Sequence, residues 1–207
     1  MLIAQLSDTH ISLPNGKGDV ECEKIYALEK CVDEINCLEV IPDVVVHTGD
    51  IAHNGVRDEY CLAKSILDNL KPPYYLTSGN RDRVNELKSV FGTNITGNNN
   101  DSFINFSVDL TNIKLIAIDT TSNITNLGFL DFERLAKLDK MLFETKNQST
   151  LLFMHHPPID VSLGDTPLFV YENRISASNL SEILDRHPQV IGCLCGHLHR
   201  SFFGKIN

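Results

Sequence analysis

The chain has 207 residues, a length typical of one domain, and its 42% apolar and 22% charged residues exclude a disordered or fibrous protein. Its 27 acidic residues outnumber its 18 basic ones, and the resulting net charge of -9 argues against general binding of nucleic-acid polymers. No apolar run approaches the roughly 18 residues of a membrane span, and no basic residue precedes the short apolar run at 2–6, so neither a membrane segment nor a secretory signal is expected.

The cysteine pattern contains no C-x-x-C pair, and a domain of this size does not need disulfides to stabilise its core. We therefore predict small reduced thiols packed in the core, which favours a cytoplasmic location. The six cysteines are Cys22, Cys31, Cys37, Cys61, Cys193 and Cys195.

The first half of the chain alternates strand and helix patterns. Short apolar runs predict buried strands at residues 2–6, 43–47 and 74–77. Apolar residues at helical spacing predict helices at residues 21–38, 58–70 and 83–91.

The second half begins with a polar loop at 97–101 and two strands, 102–108 and 113–118, that are predicted to pair in antiparallel fashion. The elements expected after them are a helix at 131–143, a strand at 151–154, a helix at 176–186 and a strand at 190–195. This alternation is typical of a layered α/β fold, and we expect one domain over residues 1–207.

Ligands of α/β folds bind outside the carboxyl ends of the strands, and five predicted strands end in side chains that can bind metals. These ends carry two carboxylates, four imidazoles and one amide. The candidate metal ligands are Asp8, His10, Asp50, Asn80, His155, His197 and His199.

This mixed nitrogen and oxygen set suits borderline divalent metals such as Zn, Mn or Fe. Seven ligands are too many for one structural zinc ion, but they suffice for two ions if one carboxylate bridges them. Such a pair can clamp the oxygens of an in-line displacement and can generate hydroxide from bound water near pH 7. Two divalent cations also exceed the charge of two carboxylates, so the site of an acidic protein can still attract an anionic phosphoester.

The motifs D-x-H, G-D, G-N-x-D, H-H-P-P and G-H-x-H, in this order, resemble those of the calcineurin-like metallophosphoesterases, and most closely the class III cyclic-nucleotide phosphodiesterase branch. The resemblance runs from Gln5 to Arg200. It implies a four-layer α/β sandwich of two sheets with a dinuclear metal centre.

The resemblance also implies how the ligands are shared between two ions. One ion would be held by Asp8, His10, Asp50 and His199. The other would be held by Asp50, Asn80, His155 and His197, with Asp50 as the bridge. His156, next to a ligand position, is expected to line the phosphate pocket.

Arg81 departs from the family pattern, which has a histidine after the Asn of G-N-x-D. An arginine stays protonated and is a poor proton donor, but its planar fork can hold a phosphate oxygen. We therefore expect Asn80 and Arg81 to bind substrate and Arg81 and Asp50 to act in catalysis. The alternative is that Arg81 simply pairs with Asp82.

The chain also departs from the pattern at its end, since only eight residues follow His199 whereas family members usually continue with further strands. We expect a second sheet that is shortened at its C-terminal side, or a truncated chain, and an exposed sheet edge that favours a homo-oligomer.

The function expected is hydrolysis of a phosphodiester by a metal-bound hydroxide, with a 3',5'-cyclic nucleotide as one candidate substrate. The partner is then a small phosphoester, with no nucleic-acid polymer and no membrane. Two alternatives stay open: a phosphomonoesterase or protein phosphatase of the same family, and a non-catalytic metal-binding scaffold.

Overall fold

The computed structural model describes residues 1–14, 20–95, 102–159, 161–163, 166–168 and 170–205. The predicted loop at 97–101 lies outside these residues. No helix within the described part of the chain is both long and apolar enough to cross a membrane.

The first sheet contains three parallel strands in the order β1 (Ile3–Leu6), β2 (Val44–His47) and β3 (Tyr74–Leu76). All four residues of β2 are buried, as expected for the central strand of a covered parallel sheet. The helices that connect and follow these strands are α1 (Val20–Asn36), α2 (Arg57–Leu67) and α3 (Val84–Phe91). Their apolar side chains join the core cluster of this sheet.

The second sheet follows a short 3₁₀ turn at Gly92–Ile95. Its spatial order is β4 (Phe106–Asp109), β5 (Lys114–Ile118), β6 (Thr150–Met154) and β9 (Val190–Leu194). The first pair is antiparallel, as predicted, and the others are parallel. Two helices precede β6 and β9, namely α4 (Phe132–Glu144) and α5 (Arg174–Arg186).

Alternation along the second sheet explains the layer order. Leu115 and Ala117 of β5 belong to the core cluster shared with the first sheet. Ile116 and Ile118 point to the other face, where they join the leucines of α4 and α5. The two sheets are therefore stacked between helices, which confirms the four-layer α/β sandwich.

One feature of the sheets differs from the sequence-based expectation. A two-stranded antiparallel sheet, β7 (Val161–Leu163) with β8 (Thr166–Leu168), follows β6 and was not predicted. Its strands have three residues each, too few for an alternating pattern to be recognised. β9 lies at an edge of the second sheet as described, and the shortening of that sheet stays a prediction.

The cysteines are free thiols, but their expected core location is wrong for four of them. Cys22, Cys31, Cys37 and Cys61 are exposed. The buried positions of α2, for example, are Tyr60, Ala63 and Leu67, which place Cys61 on another side of that helix. Cys193 and Cys195 are half-buried.

Packing of α4 on the second sheet makes a direct prediction. Leu138 is 1% exposed and Phe132, at the start of the same helix, is 87% exposed. Leu138→Ala should lower the free energy of unfolding by about 2–5 kcal/mol because it leaves a cavity, as measured by urea titration. Phe132→Ala is the control and should change it by less than about 0.5 kcal/mol. Equal losses would contradict this packing.

Candidate metal centre

The predicted metal ligands lie in the loops that follow the carboxyl ends of five strands, β1, β2, β3, β6 and β9. Five of them have positive φ angles between 43° and 73°, a backbone region that costs a non-glycine residue about 1–3 kcal/mol. In the described part of the chain, no other non-glycine residue has this conformation. The five are Asp8, His10, Asp50, His197 and His199. The loops are therefore bent specifically where these side chains must converge.

The first group of side chains surrounds Asp8. Nε2 of His10 and Nε2 of His199 lie 3.1 Å apart. Oδ1 of Asp8 is 3.4 Å from Nε2 of His199 and 4.0 Å from Nε2 of His10. Two imidazoles and a carboxylate thus point their heteroatoms at one small volume, as three ligands of one cation do.

The second group surrounds Asn80. Its Oδ1 is 3.0 Å from Nε2 of His155 and 3.0 Å from Nδ1 of His197. His155 is fully buried. An amide oxygen and two imidazoles again converge on one volume.

Asp50 joins the two groups through a single oxygen. Its Oδ2 lies 3.6 Å from Nε2 of His10 and 3.7 Å from Nε2 of His155. Its Oδ1 accepts a 2.7 Å hydrogen bond from the backbone N–H of Arg81, which fixes the orientation of the carboxylate. The structure therefore brings all seven predicted ligands into one site, and their role as ligands stays a prediction.

The hydrogen bonds of His155 show that the second group fits a cation. Its Nδ1 is 2.9 Å from the carbonyl oxygen of Thr48, which can only accept, so Nδ1 carries the proton. Burial, with repulsion from His197, lowers the pKa of His155 to about 3, so its ring is neutral and Nε2 holds a lone pair. That lone pair faces the Oδ1 lone pairs of Asn80 with no proton between them. A divalent cation between the two atoms removes this repulsion.

The electrostatic environment of Asp50 also indicates that a cation fits the site. Burial and the neighbouring charges of Asp82 and Asp8 raise its pKa to about 8, although the bond from Arg81 opposes this shift. A buried carboxylate of this kind is stable as an anion only beside a positive charge. The histidines do not supply it, since burial lowers the pKa of His10 to about 4. The chemistry of the donor set thus fits divalent metal ions.

A chain of hydrogen bonds holds Asp8 from behind. Thr48 donates from Oγ1 to Oγ of Ser7 over 2.6 Å, and Ser7 donates to Oδ2 of Asp8. Gln5 donates to both Thr48 and the carbonyl oxygen of Cys195. These contacts link β1, β2 and β9 and orient the ligand carboxylate, which is the usual role of groups around a metal site.

His47, the last residue of β2, lies behind the loop that follows β1. It is buried, accepts from the backbone N–H of Gly49 and contacts Oγ1 of Thr9 at 3.1 Å. Burial lowers its pKa to about 4, so the neutral ring donates from Nε2 to Thr9. His47 is thus a support for the loop between Asp8 and His10, whereas the neighbouring His53 is exposed.

Two glycines allow the ligand loops to touch. A Cβ atom on Gly79 would lie 2.2 Å from both the backbone nitrogen and Oδ1 of Asp50. Gly49 has a φ of 96°, and a Cβ there would lie 2.6 Å from the nitrogen of Gly79. Only glycine permits this approach of the β2 and β3 loops.

Arg81 and Asp82 do not form the surface pair that was the alternative interpretation. Both oxygens of Asp82 accept from backbone N–H groups of neighbouring loops, and Oδ1 also accepts from Tyr60. Within the described residues no ion pair joins Arg81 to any carboxylate at 4 Å or less, and Arg81 is exposed beside the Asn80 group. Its guanidinium is available to an incoming anion.

His156 is buried beside the Asn80 group, but both of its ring nitrogens already have partners. Nδ1 lies 2.8 Å from Oγ1 of Thr120, and Nε2 lies 3.1 Å from the carbonyl oxygen of Asn126. Burial, with repulsion from His155, lowers its pKa well below the usual value. These contacts hold the loop after β5 against the site, and the predicted contact of His156 with substrate stays a prediction.

Tyr60 is a supporting residue that was not predicted from the sequence. It is fully buried in α2 and donates to Asp82. A signal was present. Tyr60, Ala63 and Leu67 have the i, i+3, i+7 spacing of a buried helix face, and a buried tyrosine hydroxyl needs a hydrogen-bond partner.

The raised pKa of Asp50 predicts how the metal-free protein responds to pH. Asp50 keeps its proton up to about pH 8 in the folded state but releases it near pH 3.8 when unfolded. Above the ordinary histidine pKa of 6.5, the buried histidines are neutral in both states. Between pH 6.5 and 8 the folded state therefore binds more protons, and its stability falls as the pH rises, by up to about 1.4 kcal/mol per pH unit.

This dependence can be measured by calorimetric unfolding of the chelator-treated protein. Asp50→Asn is the matched control, because it keeps the shape but cannot titrate, and its unfolding should be flat over the same pH range. A wild-type protein whose stability rises from pH 6.5 to 8 would contradict the environment assigned to Asp50.

Comparison with known proteins shows the family of the chain. The family model described as calcineurin-like phosphoesterase matches residues 1–201. A protein of Arcobacter nitrofigilis named "Probable glycerophosphodiester phosphodiesterase GpdQ" is 35% identical to this chain. The alignment covers 97% of this chain and 72% of the length of that protein. The 3',5'-cyclic adenosine monophosphate phosphodiesterase CpdA of Pseudomonas aeruginosa is 22% identical to this chain, and the alignment covers 98% of this chain and 71% of the length of that protein.

A solved crystal structure superposes with a TM-score of 0.62 at 12% identity, covering 96% of this chain and 84% of that one, which supports the fold alone. The chain belongs to the calcineurin-like phosphoesterase family, whose members use divalent metals, and it is a metal-dependent phosphoesterase.

Proposed function

We propose that this chain hydrolyses small phosphodiesters at a centre of two divalent ions that share Asp50. The observation that carries the proposal is the position of Asp50 Oδ2, which is 3.6 Å from His10 and 3.7 Å from His155. These histidines belong to different groups of converging side chains. One carboxylate oxygen between two such groups is the arrangement expected of a bridging ligand.

The ligands divide between the ions as the two groups do. Asp8, His10, Asp50 and His199 would hold the first ion, and Asp50, Asn80, His155 and His197 the second. Nitrogen and oxygen donors without thiolates favour Fe, Mn or Zn. Bound ions would supply Lewis acidity toward phosphate oxygens and would lower the pKa of water.

The protein's own groups orient the substrate. Asn80 is the centre of the second group of predicted ligands, and the next residue, Arg81, has an exposed side chain. A guanidinium there can hold a phosphate oxygen through two N–H groups. It cannot release a proton to a leaving group, because arginine stays protonated at working pH. His156 keeps the loop after β5 in place, so that this wall of the site is fixed before substrate arrives.

The identity of the diester is narrowed by the relatives. Their names refer to two small diesters, a glycerophosphodiester and a 3',5'-cyclic nucleotide. We favour a small diester of this kind over a phosphomonoester or a phosphoprotein, and we infer that residues 1–207 act as a single domain. An enzyme panel therefore includes a nitrophenyl diester, both named diester types and a nitrophenyl monoester.

Asp50 and Asn80 should differ in their effects on metal content. Asp50→Ala removes a ligand of both ions and should abolish both occupancies and the diesterase rate. Asn80→Ala removes a neutral ligand of one ion and should leave about one ion per chain. Asp33→Ala is the control, because Asp33 is an exposed aspartate of α1 outside the set. Elemental analysis and metal titration would measure the occupancies.

Three results would overturn the proposal. Full metal content and rate in the Asp50 variant would exclude the bridge. A wild-type protein that binds two ions but hydrolyses none of the panel would indicate the non-catalytic scaffold, and a preference for the monoester would indicate a phosphomonoesterase.

The permanent charge of Arg81 predicts which leaving groups the enzyme prefers. Arg81→Ala should lower kcat/KM by about 10²-fold through loss of one charge-assisted contact with the phosphate. Without a proton donor at this position, the wild type should prefer nitrophenyl esters, which leave without protonation. Arg81→His should selectively improve alkyl and ribose esters, because histidine titrates near neutral pH.

The control for Arg81 is Arg83→Ala, since Arg83 is an exposed arginine two residues along the same loop. Steady-state kinetics on a nitrophenyl diester and a cyclic nucleotide would separate the effects. Wild-type values for both Arg81 variants would place Arg81 outside the active site.

A further inference from the structure

The carboxylate of Asp82 ties together two loops that carry predicted metal ligands. It accepts from the backbone N–H of Ile51 at 3.2 Å and of Ala52 at 3.2 Å, in the loop after β2. It also accepts from the backbone N–H of Gly79 at 2.9 Å, in the loop after β3. Asp50 precedes the first pair of donors, and Asn80 follows Gly79.

Tyr60 fixes this carboxylate from the helix behind the loops. Its hydroxyl donates to Oδ1 of Asp82 over 3.1 Å and accepts from the backbone N–H of Arg83 over 2.8 Å. The Tyr60 ring is fully buried and contacts Phe91 edge to face, with ring centroids 6.4 Å apart. The packed ring therefore fixes the position of the hydroxyl, which bonds both the side chain of Asp82 and the backbone N–H of Arg83.

The relative position of the two loops matters for Asp50 itself. The N–H of Arg81 in the β3 loop donates to Oδ1 of Asp50 in the β2 loop over 2.7 Å. A shift of one loop against the other would rotate the Asp50 carboxylate and move Asn80 away from it. Asp50 and Asn80 are the two ligands of the second ion that these loops supply.

We propose that Tyr60 and Asp82 are positioning residues that set the spacing of Asp50 and Asn80 and, through it, the affinity of the second metal ion. This inference rests on the proposed function. Neither side chain is a ligand in it. They act through the backbone of the two loops, and groups behind metal ligands typically change metal affinity about 10–100-fold when they are removed.

The chain offers a matched control for the loss of a tyrosine hydroxyl. Tyr74 also donates to an aspartate, Oδ1 of Asp68, at 2.7 Å, and its ring also contacts Phe91, with centroids 6.5 Å apart. Tyr74 begins β3, and Asp68 follows the end of α2, so this bond touches neither ligand loop. Tyr74→Phe thus deletes a bond from tyrosine to aspartate away from the ligand loops. Tyr60→Phe deletes such a bond between them, together with the acceptor of the Arg83 N–H group.

The experiment is a calorimetric titration of the metal-free full chain with Mn²⁺, accompanied by thermal unfolding of each metal-free variant. The step that is lost in Asn80→Ala identifies the second ion. Tyr60→Phe should weaken that step about 10-fold or more and the other step by less, because Asp50 is the first ion's only predicted ligand in these two loops. Tyr74→Phe should leave both metal-binding steps unchanged, even if its unfolding temperature falls as much as that of Tyr60→Phe. Asp82→Asn presents an amide to backbone donors and should weaken the second step further.

The outcomes distinguish this inference from the proposed function. A wild-type protein that binds fewer than two Mn²⁺ ions overturns both. Two ions in the wild type with unchanged binding in Tyr60→Phe overturns only the positioning role. So does an equal loss in Tyr74→Phe, because that result reports general destabilisation. If Asp82→Asn fails to fold, the tyrosine pair still decides the question.

Discussion

The carboxylate of Asp50 lies buried where the ends of the two sheets meet. Burial and the neighbouring charges of Asp82 and Asp8 raise its pKa to about 8, although the hydrogen bond and the charge of Arg81 oppose this shift. The imidazoles around it are neutral and direct lone pairs toward it and toward Asn80. This concentration of electron pairs is unfavourable by itself and becomes favourable only with positive charge between the groups. The donor set of the site therefore fits a bound cation.

The rest of the fold restrains these groups despite their repulsion. Five ligand positions have left-handed backbone, and two glycines let the loops approach within contact distance. The supporting bonds come from the first sheet and from α2: Ser7 and Thr48 hold Asp8, His47 holds Thr9, and Tyr60 with Asp82 holds two loops. Strain of this kind persists only when the surrounding structure determines it from several sides. The site is thus prearranged, at a cost in stability that bound metal would offset.

The acidic character of the chain and its phosphoester chemistry are compatible because they act at different distances. The net charge of -9 is spread over the whole chain, whereas the site concentrates donors for divalent cations. Surface charges are screened over about 8 Å at physiological ionic strength, so bound cations together with Arg81 would dominate the local attraction of a small anion.

The sequence determined most of the framework and the candidates for the site. Apolar runs and helical spacing predicted the strands and helices of both sheets, because burial on one or two faces leaves a periodic pattern. Motifs at strand ends identified all seven ligand candidates, because parallel strands deliver their ends to one edge. The short β7–β8 pair was missed, since three-residue strands carry no period, and so was the exposure of four cysteines, since exposure depends on which side of a helix meets the sheet.

Only the tertiary structure decided how the candidates act together. From the sequence, the only role considered for Asp82 was the alternative of a pair with its neighbour Arg81. Folding instead places three backbone N–H groups and the Tyr60 hydroxyl around its carboxylate. The proton position on His155 follows from the carbonyl of Thr48, which is 107 residues away in the chain. Spacing along a sequence determines which groups reach a sheet edge. Distances, proton positions and burial depend on contacts between segments far apart in the chain, and these arise only when the two sheets stack.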